Sequence, residues 1–252
     1  MTEAILQTNG LSKRFGGLAA VEDVSLEFHP SRVHAVIGPN GAGKTTLINM
    51  LSGDLRPSAG SVSFAGSEIA GLTADRISRL GIGRSYQKTN IFKDFTVFEN
   101  CRLAAQSRLP SSMRFFRPAD AYRQLTDAAR QALATVGLDG RRDVPAAALS
   151  HGEQRQLEIA MTLATTPKVL LLDEPLAGMG IEESSRMVDL LQQLARSHAI
   201  VLVEHDMDAV FAVADTLTVM VNGRVLESGT PEDIRSSAAV REAYLGTEDH
   251  HA

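Results

Sequence analysis

The chain has 252 residues, 44% of them hydrophobic and 22% charged. These are ordinary globular values, and they exclude bulk disorder, collagen and coiled coil. Lys and Arg total 25 against 30 Asp and Glu, a net charge of −5, which argues against a nucleic-acid surface as the main business of the chain. Only five of those cations are lysines, so a lysine inside a chemical motif carries more weight than an arginine would.

The single cysteine, Cys101, permits no intramolecular disulfide and reads as a small core residue. The longest apolar stretches, such as Val169 to Leu172 and Ala199 to Val203, are far too short to span a bilayer. Met1 to Ala4 lacks the basic and apolar regions of a secretory signal. A membrane role is therefore expected to come through a partner.

In chain order, residues 4–9 and 20–28 read as short strands, the second with Val21, Val24, Leu26 and Phe28 in partial alternation. Arg32 to Ile37 reads as a buried strand ending at Gly38, and Thr45 to Ser52 as a helix through Leu47, Ile48 and Leu51. A turn at Pro57 to Gly60 leads into a strand at Ser61–Phe64. This predicts an antiparallel layer beside a strand–loop–helix unit. From about residue 88 to 167 the pattern is mostly helical, with an exposed excursion from Pro110 to Pro118. Ala119 to Val136 reads as an amphipathic helix. Beyond Pro167, strands at Val169–Leu172 and Ile200–Val203 alternate with helices at Glu182–Arg196 and Asp206–Ala214. Short apolar strands alternating with helices predict a parallel sheet covered on both faces. The last six residues, from Thr247, read as a frayed polar tail.

Gly38-Pro39-Asn40-Gly41-Ala42-Gly43-Lys44-Thr45 fits the phosphate-binding pattern Gly-x4-Gly-Lys-Ser/Thr, with Thr46 next. Glycines let successive N–H groups curl inward toward phosphate oxygens, and the following helix adds positive charge at its N-terminus. Lys44 can reach the β- and γ-phosphates, and the Thr45 hydroxyl can ligate Mg²⁺. The strand Val169–Leu172 ends in Asp173-Glu174-Pro175. A carboxylate there suits Mg²⁺, so Asp173 is assigned to the metal and Glu174 to general base or water orientation. Two solvated acids before a turn would be the reading without the phosphate loop. Ser150-x-x-Glu153 is a capping-box pattern, and Ser150 with Gly152 at a helix start forms a second, weaker anion site.

Taken together, these residues resemble the nucleotide-binding subunit of an ATP-binding-cassette (ABC) transporter. The phosphate loop, the strand ending in Asp173-Glu174 and Leu149-Ser150-His151-Gly152-Glu153, similar to the family signature Leu-Ser-Gly-Gly-Gln, come in the family's order across residues 4–246. The resemblance implies one α/β cassette. Its P-loop parallel-sheet core and antiparallel layer would span about 1–87 and 168–246, and an inserted helical subdomain about 88–167. It further implies that Gln87 is the Q-loop glutamine near metal and permease, His205 the switch histidine and Phe15 the adenine-stacking aromatic. Ser150, Gly152 and Glu153 would complete the ATP site of a second subunit, identical or related. The cassette would hydrolyse ATP with Mg²⁺ at the cytoplasmic membrane face, bound to integral-membrane permease subunits and served indirectly by a solute-binding protein. Phe15-Gly-Gly-Leu, Gly81-Ile-Gly-Arg-Ser-Tyr-Gln87, Ala177-Gly-Met and Ala243-Tyr-Leu-Gly246 are similar to the branched-chain amino-acid (or urea) uptake group. Lipopolysaccharide export and a non-transport ABC ATPase are the alternatives. His151 for Gly, Glu153 for Gln and Gly180 for Asp or Asn depart from the wider family pattern.

Overall fold

The computed structural model describes residues 3–86, 90–108 and 123–245. Gln87, the Pro110–Pro118 excursion and the tail from Thr247 lie outside the described residues. Strands β1 (Leu6–Phe15) and β2 (Leu18–Phe28) form an antiparallel hairpin. β4 (Ala59–Phe64) pairs with the other edge of β1, and β5 (Ser67–Glu68) with β4, giving the order β2-β1-β4-β5. The expected antiparallel layer is there, but its first two strands run longer than residues 4–9 and 20–28. The added residues, Gly10 to Phe15 of β1 and Leu18 and Ala19 of β2, are half-exposed or exposed apart from Leu11, so apolar alternation under-reads them.

The second sheet has the order β10-β9-β3-β8-β7-β6. β3 (Val33–Ile37), β6 (Ile82–Arg84), β7 (Val169–Asp173), β8 (Ala199–Val203) and β9 (Thr216–Val221) run parallel. β10 (Arg224–Gly229) folds back antiparallel on β9. The inner strands β3, β7 and β8 are buried at every position yet still alternate. Val33, Ala35, Ile37, Leu170, Leu172, Ile200 and Leu202 enter one core. Val36, Val169, Leu171, Ala199, Val201 and Val203 enter the other. Two cores on one sheet are why period two is invisible in these strands. Each fully buried Leu or Ile there contributes about 1.5–3 kcal/mol by leaving water.

One core lies against α1 (Lys44–Ser52), α2 (Ala74–Leu80) and the antiparallel layer. The other collects α3 (Val97–Gln106), α4 (Arg123–Thr135), α5 (His151–Ala164), α6 (Ile181–Ala195) and α7 (Met207–Val213). It also takes Ile234 of α8 (Pro231–Ser236) and Val240 of α9 (Ala238–Leu245). Cys101 is fully buried in this second core, and burial pushes its thiol up to about 12. Among the described residues, no helix is long and apolar enough to cross a membrane.

Candidate active site

Gly38 to Gly43 connects β3 to α1. Gly38 and Gly43 have φ of 149° and 100°, and a Cβ at either would collide with backbone, the Met220 carbonyl for one and the Ala20 carbonyl for the other. These glycines are dictated by close packing. Gly41 (φ 80°) has nothing within 4 Å of a built Cβ, and Asn40, Gly41 and Thr45 are exposed. The loop is thus braced from behind and open in front. Its brace is the β9–β10 turn: Gly223 N–H donates to Ala42 O at 3.0 Å, and Glu22 N–H to Gly223 O at 2.8 Å. Asn222 and Gly223 both have positive φ, as a tight two-residue hairpin requires.

Lys44 Nζ donates to the carbonyls of Gly38 at 2.6 Å and Pro39 at 3.1 Å, so the ammonium lies over its own loop. Partial burial pulls its pKa below the ordinary lysine value, opposed by the charges of Glu174 and Asp173. The structure therefore brings Lys44 and both acids into one electrostatic site.

Asp173 ends β7 and is buried. Neither of its oxygens has a hydrogen-bond partner among the described residues, and Arg84 Nη2 stands 3.6 Å from Oδ2. Burial raises the Asp173 pKa, offset chiefly by Arg84. A buried, hydrogen-bond-free carboxylate beside a phosphate loop fits a hard divalent cation, whose ligands are oxygens. Arg84 is shared: its Nη1 also pairs with Asp54 at 2.7 Å, and its guanidinium lies 4.7 Å from the Tyr86 ring centre.

Glu174 lies one residue beyond the end of β7. It has left the strand with φ 52°, its N–H donating to Val203 O at 2.8 Å. A left-handed glutamate costs about 1–3 kcal/mol and persists only where the surroundings hold it. Here the neighbouring strand does so, through the Val203 carbonyl. Glu174 is half-buried at the carboxyl end of the sheet, where ligands collect in open α/β folds.

His205 follows β8. Its side chain is 64% exposed, with Nδ1 3.6 Å from Glu204 Oε2. Phe15 is 51% exposed at the tip of the β1–β2 hairpin, with Lys13 Nζ 5.2 Å from its ring centre. An exposed ring is available for stacking.

Ser150 caps α5. Its Oγ accepts Glu153 N–H at 3.2 Å, and Glu153 Oε2 accepts Ser150 N–H at 2.9 Å, so the expected capping box is formed. Ser150, Gly152 and Glu153 line a cavity of about 860 Å³ with residues of α4 and α6, and no phosphate-loop residue lines it. The start of α5 and the phosphate loop therefore do not share this cavity.

Sequence reasoning missed Glu204, Arg84 and Glu183. Glu204 is 1% exposed and accepts N–H groups from Leu176 and His205. Its signal was present: an acid directly after a run of five apolar residues, as Asp173 follows a run of four.

The chain belongs to the ABC transporter family, whose model matches residues 21–177. A second model, the branched-chain amino acid ATP-binding cassette transporter, matches residues 224–250. Among the curated relatives, the high-affinity branched-chain amino acid transport ATP-binding protein LivG of Escherichia coli K12 is 38% identical over 255 residues, 98% of this chain and 99% of LivG. BraF of Pseudomonas aeruginosa, of the same description, is 39% identical over 253 residues, with 98% and 99% covered. A nucleotide-free ATP-binding cassette of an ABC transporter superposes with a TM-score of 0.86 at 28% identity, covering 96% of this chain and 98% of that one. A cassette in its ADP conformation gives 0.85 at 29%, covering 97% and 100%.

Proposed function

We propose that the chain is the ATP-hydrolysing subunit of an ABC importer for branched-chain amino acids or related small polar solutes. The observation that carries this reading is the meeting of Lys44 with a buried, hydrogen-bond-free Asp173 and a left-handed Glu174 at one sheet end. The solute class rests on the likeness to LivG and BraF and on the match at residues 224–250.

In this reading the Gly38–Thr46 loop receives the phosphates on its backbone N–H groups and on Lys44, which leaves its own carbonyls to do so. Thr45, Asp173 and Gln87 would hold Mg²⁺, which supplies charge neutralisation on the β- and γ-phosphates. Phe15 stacks on the adenine. Glu174 orients a water for attack on the γ-phosphorus and accepts its proton as the bond to the β-phosphate oxygen breaks and ADP leaves. His205, standing over the same strand ends, contacts the γ-phosphate. Ser150, Gly152 and Glu153 close the site from a second ATPase subunit. Residues 88–167 form the helical subdomain, and the region around Gln87 passes the stroke to permease subunits at the cytoplasmic membrane face.

The test is Lys44→Ala. Neutral alanine cannot offset phosphate charge, so ATP turnover by the assembled complex, and labelled leucine uptake with it, should fall to background. Unchanged turnover would refute the assignment. Loss of turnover in a complex that never carried leucine would leave the ATPase and reject the solute.

A further inference from the structure

Ser150 and Gly152 lie beneath a carboxylate from another helix. Glu183, at the third position of α6, accepts a hydrogen bond from Ser150 Oγ at 3.5 Å through Oε1 and from the Gly180 amide at 3.5 Å through Oε2. A Cβ at Gly152 would stand 2.6 Å from the same Oε1. A second contact joins the same two segments, for the His151 ring comes within 3.3 Å of a Cβ built at Gly178. His151 and Gly180, two departures from the family pattern, thus both belong to one cis contact between residues 150–152 and 178–183. The N-terminus of a 14-residue helix carries roughly half a positive charge. Here that charge faces a carboxylate of its own chain.

We propose that Glu183 is a built-in competitor for the γ-phosphate that Ser150 and Gly152 receive when a second copy of this chain brings its ATP; the inference rests on the trans site described above. Carboxylate and phosphate are both anions seeking the same donors, and their repulsion prevents joint occupancy. Nucleotide engagement therefore requires Glu183 to swing off Gly152. The cavity beside the helix end gives it room, and Arg186, which lines that cavity three residues further along α6, is placed to receive it.

The experiment uses the full chain carrying Glu174→Gln, so that bound ATP survives. Dimerisation is followed by sedimentation as Mg-ATP is added. Adding Glu183→Gln removes the charge but keeps an oxygen for the Gly180 amide. It is expected to lower the ATP concentration at half-dimerisation by about fivefold, the scale of one charge at a helix end. Glu182→Gln makes the same change in net charge at an exposed position and should leave the midpoint unmoved. ATP binding to the monomer, read with a fluorescent ATP analogue, should be equal in all three. An unmoved midpoint in Glu183→Gln, or an equal shift in Glu182→Gln, would overturn the competitor role and leave the trans site standing. Absence of any ATP-driven dimer would overturn the trans site of two identical chains, and the competitor with it.

Discussion

The buried carboxylate of Glu204 accepts the backbone N–H of Leu176 at 2.8 Å. The same side chain accepts the N–H of His205 at 3.1 Å. One acid therefore joins the turn that follows Glu174 to the turn that carries His205. Burial raises the pKa of Glu204, and these N–H donors pull it back.

Removing that acid should loosen both turns together. Each stranded buried N–H costs about 1–3 kcal/mol, so Glu204→Ala should lower the melting temperature and slow ATP turnover. Glu204→Gln keeps one carbonyl oxygen for Leu176 and should recover most of the stability. Thermal melts of the three proteins decide this, and a melting curve of Glu204→Ala that overlays the wild type would refute the joining role.

Glu174→Gln should retain ATP and stop its hydrolysis. The amide keeps the size and hydrogen-bonding reach of the carboxylate but cannot take a proton from water. The expected loss in turnover is ~10²–10⁴-fold, measured in the assembled complex, with ATP still bound. Turnover at wild-type speed would move the base role to His205.

The phosphate loop and the two acids were legible because their chemistry fixes residue type and spacing. The capping box of Ser150 and Glu153 was legible for the same reason. The left-handed turn at Glu174 was not, because its cause is tertiary: its N–H is held by Val203 on the next strand. The three-residue strand Ile82–Arg84 is too short to show a period and exists only because β7 pairs with it. The role of the Asn222-Gly223 turn as a brace for Ala42 depends on two residues far apart in the chain, Ala42 and Gly223. The Glu183 contact depends on how α6 meets α5, and local pattern says nothing of that.

His34, on the strand that leads into the phosphate loop, should set a pH dependence of stability. It is buried on β3, with Nε2 2.7 Å from Thr218 Oγ1 and its ring 4.8 Å from that of Phe28. Burial holds its pKa down to about 4, against 6.5 when unfolded, a shift partly opposed by a hydrogen bond to the Glu27 backbone. Between those values the unfolded chain binds the proton and the folded chain does not. Stability is therefore full above pH 6.5 and falls as pH drops toward 4, by about 3 kcal/mol from this group. Denaturant titrations from pH 7 to 4.5 should show a flatter decline for His34→Gln than for the wild type. Parallel declines would refute the assignment.

Two inactive variants should rescue each other if the composite site is shared between identical chains. Lys44→Ala removes the phosphate-loop cation, and Ser150→Arg blocks the start of α5 with a bulky side chain. Each homodimer has the same lesion in both sites and should be inactive. In a head-to-tail heterodimer, one site combines both damaged motifs. The other pairs an intact phosphate loop with an intact α5 N-terminus. This sorting requires that the phosphate loop and the start of α5 in one composite site come from different chains. Recovery is bounded at one intact site in each heterodimer, and is lower if both sites must fire for a full cycle. ATPase assays across mixing ratios, with subunit exchange verified, read the outcome. Activity that stays at background at every ratio would reject the identical pair and favour a second, related ATPase chain as the partner.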